Sequence, residues 1–96
     1  MMEIMRQGDV LLIKREKIPA GFAKSGDNIL VRGEMTGHAH RASKTVQVFR
    51  DQNGGMFISG SGQILHEEHD PIPIDGIYEI QRQREYNPLE ERVVQD

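Results

Sequence analysis

Each apolar run in this chain is short and is closed by glycine, proline or a polar turn cluster, a punctuation that favours strands over helices. Asp9-Val10-Leu11-Leu12-Ile13-Lys14 follows Gly8 and stops before the loop-like Lys17-Ile18-Pro19-Ala20-Gly21. Ile29-Leu30-Val31-Arg32 follows Ser25-Gly26-Asp27-Asn28, whose side chains and glycine suit tight turns. Thr45 to Arg50 and Met56 to Ile58 flank Asp51-Gln52-Asn53-Gly54-Gly55. Asparagine and glycine both tolerate positive φ, so that junction predicts a β-hairpin.

A further strand is expected over Gly62 to Leu65, and another from Gly76 to Arg84. Alternation in the latter puts Tyr78, Ile80, Arg82 and Arg84 on one face. Pro71 and Pro73 lack a backbone N–H, so the link Asp70 to Asp75 should be an edge or a loop rather than a central strand. Pro88-Leu89-Glu90-Glu91-Arg92 has the makings of one helical turn. Six or seven short strands with ten glycines and four prolines predict an all-β fold, a small antiparallel β-barrel or sandwich. The 96 residues read as one domain spanning 1–96. A chain of this size buries only about 60–65% of its unfolded surface, so a bound metal or a homodimer would add needed stability.

The formal charge of −3 sets up no field that would draw in a polyanion, and nucleic acid is not an expected partner. Without cysteine there is no disulfide framework, no thiolate metal site and no thiol nucleophile. No apolar run approaches the roughly 18 residues of a membrane span, and Met1-Met2-Glu3-Ile4-Met5-Arg6 lacks a secretory core. A cytoplasmic protein without a membrane partner is expected.

The four histidines fall into two pairs, His38-Ala39-His40 and His66-Glu67-Glu68-His69. On a strand, residues i and i+2 share a face about 6.6 Å apart, close enough for both imidazoles to lean onto one cation. His66 and His69 share a side if the chain turns there, which the following Pro71 favours. Neutral imidazole is the commonest protein metal ligand, and its ordinary pKa of about 6.5 leaves it largely deprotonated at pH 7. A nitrogen-rich, sulfur-free set suits a divalent transition metal, zinc first, with nickel, iron or copper as alternatives. Glu34, Glu67 and Glu68 offer carboxylates as ligands or as partners that orient a ring. If a coordination position stays open, Glu67 or Glu68 could act as the catalytic base on an activated water. Taken singly, each pair also reads as ordinary surface histidines, and Glu67-Glu68 as a solvated turn.

The segments Gly33-Glu34-Met35-Thr36-Gly37-His38-Ala39-His40-Arg41, Leu65-His66-Glu67-Glu68-His69-Asp70-Pro71, Gly76-Ile77-Tyr78 and Gln83-Arg84-Glu85-Tyr86 resemble a family of short uncharacterised bacterial and phage proteins. The resemblance runs from Gly8-Asp9-Val10 to the tail and implies no established activity. A weaker resemblance is to cupins, small β-barrels whose first motif places a histidine-x-histidine pair several residues after a glycine, as Gly33 stands before His38 and His40. Cupins carry a glutamate three or four residues after that pair, where this chain has Ser43 and Lys44. Their later proline-x-glycine precedes a histidine, and Pro73-Ile74-Asp75-Gly76 is followed by none. A cupin-like geometry would therefore need His66 and His69 as its remaining ligands.

Arg41, Arg82 and Arg84 could bind a small anionic ligand through bidentate guanidinium forks, or could pair with the surplus of acidic residues. Gly60-Ser61-Gly62 sits between strands, not in the strand-to-helix elbow of a serine hydrolase. Together these residues predict a small metal-binding protein with a site at His38, His40, His66 and His69, and, with an open coordination position, a metal-dependent hydrolase acting on a small anion. One alternative is a metal-free phosphodiesterase using two histidines as acid and base. Another is a non-catalytic ligand- or protein-binding module of the kind that phage and bacterial accessory proteins supply.

Overall fold

The computed structural model describes residues 3–32 and 38–82. Eight strands follow in chain order: β1 (Ile4–Gln7), β2 (Val10–Arg15), β3 (Ala23–Lys24), β4 (Ile29–Arg32), β5 (Ala39–Ala42), β6 (Val46–Arg50), β7 (Met56–Leu65) and β8 (Ile72–Arg82). They form one sheet in which β1, β2, β8, β7, β5 and β4 lie side by side, while β6 and then β3 extend from the other half of β7. All pairings are antiparallel. The all-β antiparallel expectation holds, with the strands in a single sheet that is not closed into a barrel. Among the described residues there is no helix, hence none long and apolar enough to cross a membrane.

Alternation builds the core. Met56, Ile58 and Ile64 of β7, Ile74, Tyr78 and Ile80 of β8, Val10 and Leu12 of β2, and Val46 and Val48 of β6 form one buried cluster with Leu30 and Ala42. Because these residues come from strands right across the sheet, the sheet must curl around them. Fully burying one isoleucine or leucine contributes about 1.5–3 kcal/mol, and Leu12, Ile58 and Ile64 are fully buried. Tyr78 and Ile80 share one face, as alternation predicts, and that face is the buried one; Arg82 extends the row to Asp9.

Several boundaries differ from those expected. The two separate strands expected over Met56 to Ile58 and Gly62 to Leu65 are one ten-residue strand, β7. Its inward row is interrupted by Gly60, whose φ is +140° and whose Cβ position would lie 2.6 Å from the Thr45 carbonyl oxygen. The proline link is partly strand: Pro73 belongs to β8 and faces Gln63 of β7. The β2 partner of β8 covers only Ile77 to Arg82, so Pro73 sits where β8 has a neighbour on one side alone, the position a residue without an N–H can take. Strands β1 and β3 were not anticipated. Glu34, Arg84 and the expected helical turn at Pro88 to Arg92 lie outside the described residues.

Register then fixes what sits beside the histidines. β5 pairs Arg41 with Leu65 and Ala42 with Ile64, and β6 pairs Val46 with Gly60 in the same unbroken register. Between them, the Ser43 N–H donates to the Gln63 carbonyl at 2.9 Å and the Thr45 hydroxyl to the Ser61 carbonyl at 2.6 Å. One more step of that ladder sets His40 across from His66.

Candidate metal centre

His40 belongs to β5 and His38 immediately precedes it, while His66 and His69 lie in the connection from β7 to β8. The antiparallel register brings the two pairs together. Ring centres are 4.3 Å apart for His40 and His66, 4.6 Å for His66 and His69, 5.7 Å for His38 and His66, and 6.1 Å for His40 and His69. Two imidazoles bound to one tetrahedral ion through nitrogens at about 2.0–2.1 Å have centres roughly 5 Å apart, a spacing close to these, but neither His40 nor His69 belongs to a three-residue group of close ligand atoms among the described residues. One ligand atom from each of His38, His66 and Glu67 lies within 4.8 Å of the other two. His40 is buried and His69 exposed.

The hairpin of β1 and β2 closes the cluster from the side. Its two-residue turn is Gly8-Asp9, with φ at Gly8 of +63°. A Cβ on Gly8 would stand 2.9 Å from His69 Nε2 and 3.5 Å from His40 Cε1, so the backbone approaches the rings as closely as only glycine allows. Gln7, buried at the end of β1, lies 2.8 Å from His40 Nδ1 through its Oε1. Its Nε2 donates to the carbonyls of Ile64 at 3.1 Å and Asp70 at 2.8 Å.

Burial, reinforced by the neighbouring His66 and His69, lowers the His40 pKa to about 4 against the opposing pull of Asp9. Burial and His69 lower that of His66 as well. Both rings are thus neutral at pH 7. His66 Nδ1 accepts the Glu68 backbone N–H at 3.0 Å, so its neutral ring carries hydrogen on Nε2. Binding an ion through Nε2 would require that proton to leave or to move to Nδ1.

The two glutamates differ. Glu67 accepts from the Arg41 guanidinium at 2.8 Å and from the Ala39 N–H at 3.1 Å. The Arg41 hydrogen bond, then the backbone donors, hold its carboxyl at about 2, which makes it a weak base near neutrality. Glu68 is exposed, with Oε2 3.4 Å from His38 Nδ1, where it can orient that ring. Of the arginines read as an anion patch, Arg41 pairs with Glu67 and Arg82 with Asp9, at 2.9 Å from Nη2, so both are engaged by carboxylates. Gln7, Gly8 and Asp9 did not stand out in the sequence as site residues. A glycine-aspartate pair between two extended segments is nevertheless a hairpin signal that would have found them.

Residues 6–83 match the model of a family described as a domain of unknown function, DUF8820. The chain belongs to this family. No curated protein and no solved structure matches the chain. The DUF8820 match covers both histidine pairs, the Gln7-Gly8-Asp9 turn and all of the described sheet beyond the first residues of β1. It agrees with the resemblance to an uncharacterised family and assigns no chemistry, so the reading of the site rests on its own geometry.

Proposed function

We propose that this protein binds one divalent transition metal ion at the cluster of His38, His40, His66 and His69, with zinc the best-suited ion. What supports this most is the clustering of the four imidazoles, four of whose six ring-centre distances lie between 4.3 and 6.1 Å. Protonated rings would repel one another at that range, whereas neutral ones can pack together and, once His66 gives up or moves its Nε2 hydrogen, can offer lone pairs to an ion. Nitrogen donors without sulfur favour zinc, nickel, copper or iron over magnesium or calcium.

The residues also limit the chemistry. A water activated at an open position would need a base, and Glu68 suits that role better than Glu67, whose two oxygens are already occupied. On this reading Glu67 serves as a ligand or as the anchor that ties the β7–β8 connection to β5. Protein purified without chelator should carry about one equivalent of metal by mass spectrometric element analysis. The double variant His38→Ala, His66→Ala should lose it. Metal retained in full by that variant, or none taken up by the wild type from equimolar zinc, would sink the reading.

One observation favours a second, metal-free reading. His40 and His66 are neighbouring neutral rings with centres 4.3 Å apart, and two adjacent imidazoles can serve as base and, once protonated, acid on a phosphodiester. It ranks lower because the lowered pKa values leave neither ring as the imidazolium that would donate a proton near pH 7, and because Arg41 and Arg82 are engaged by carboxylates. Phosphodiesterase activity unchanged by EDTA would reverse the ranking.

A further inference from the structure

We infer that Gln7 is the positioning residue of this cluster: it holds His40 in the tautomer with hydrogen on Nδ1, which leaves the lone pair on Nε2. The role deepens the metal-binding reading and rests on it for its effect on affinity, but the tautomer follows from hydrogen bonding alone. A glutamine amide nitrogen has two hydrogens, and here each has a carbonyl acceptor, Ile64 and Asp70. Rotating the amide by half a turn would bring its oxygen against those two carbonyls, so Oε1 must be the atom facing His40. An oxygen without hydrogen can only accept, and His40 Nδ1 at 2.8 Å must therefore donate.

The same side chain sets the position of the second pair. Ile64 and Asp70 bracket the segment that carries His66 and His69, and one amide group holds both ends. Gln7 thus joins three elements: β1, the β5 histidine, and the two ends of the β7–β8 connection. It does so from a buried site, where a lost partner is not replaced by water. An amide in this role orients the ring without placing a negative charge behind it, unlike the carboxylate often found behind metal-binding histidines.

The test uses the full chain and two measurements. Long-range nitrogen-proton NMR of the zinc-free wild type at pH 7.5 should show neutral His40 with hydrogen on Nδ1. Gln7→Met, which keeps volume and removes every hydrogen bond, should give a mixture of tautomers and weaken zinc binding by about 10- to 100-fold in competition with a chromophoric chelator. Wild-type His40 with hydrogen on Nε2 would overturn the inference whether or not the variant folds. So would a folded Gln7→Met protein whose zinc affinity matches that of the wild type. If the wild type binds no zinc yet shows the Nδ1–H tautomer, and the variant loses it, the metal-binding reading fails and the positioning role of Gln7 stands.

Discussion

Burial and neighbouring charge both act on His40, and the sign of their effect on stability can be worked out. Its pKa is about 4 in the native state against 6.5 for an unperturbed ring, because burial and then the adjacent imidazoles disfavour the cation. Between those two values the unfolded chain binds more protons than the native one, so stability rises with pH across that window. The contribution is complete above pH 6.5 and is lost as pH falls through about 4. Urea midpoints measured on metal-free protein should therefore drop between pH 7 and pH 4.5, and His40→Gln should flatten that drop. The His40 ring proton should not titrate in NMR until the pH nears 4. A His40 midpoint near 6.5 would show that the ring is hydrated and not packed as described. Glu67 titrates lower still: its tie to Arg41 and the Ala39 N–H is lost only as pH falls from 4.5 through about 2, separating the two effects.

At the scale of elements, two glycines decide whether the strands can come together as they do. Gly60 combines φ of +140° with a Cβ position 2.6 Å from the Thr45 carbonyl oxygen, both backbone features that no side-chain rotation relieves. Gly60→Ala should destabilise the protein by about 2–3 kcal/mol. Gly8→Ala meets a side chain instead, His69 Nε2 at 2.9 Å, and should cost about 1–2 kcal/mol while also weakening zinc binding. Thermal or urea unfolding checks both, and equal, negligible losses would contradict the close approaches. Turns and long-range pairings differ in what the sequence carries and what it hides. The Asn53-Gly54 hairpin was legible because its signal is local: Gly54 has φ of +87°, and Asp51 Oδ1 accepts the Asn53 and Gly55 N–H groups within the turn. The pairing of the histidines was legible as a spacing, since both pairs are short-range patterns. The continuity of β7 through Gly60 and Gly62 was not, because it depends on β6 and β8 lying on either side. Gln7 was invisible for a similar reason: its partners are 33 to 63 residues away in sequence, and a lone glutamine before a turn carries no local signature.

At the scale of the whole molecule, the candidate centre lies where three pieces of chain distant in sequence meet: the β1–β2 turn, β5 and the β7–β8 connection. The hydrophobic cluster holds the sheet by its inner face, but the connection carrying His66 and His69 is mostly exposed and is tied down by Gln7 and by the Glu67 bridge to Arg41 and Ala39. An ion bound by both histidine pairs would add a cross-link present only in the native state. Binding of that kind stabilises by about 2.7 kcal/mol when free metal is 100 times the Kd. For a chain of this length 1 kcal/mol moves Tm by roughly 4–8 °C. Adding EDTA to zinc-loaded protein should then lower Tm by about 10–20 °C, and restoring zinc in excess should raise it again. In the His38→Ala, His66→Ala variant the melting curve should not respond to either. Proline-edged β8 and the core residues Ile58 and Ile64 are untouched by that variant, so a fold that survives it with an unresponsive Tm locates the cross-link at the histidines. If instead the wild-type Tm is the same with zinc and with EDTA, the cluster is held by the protein's own packing and hydrogen bonds and contributes to the fold without an ion.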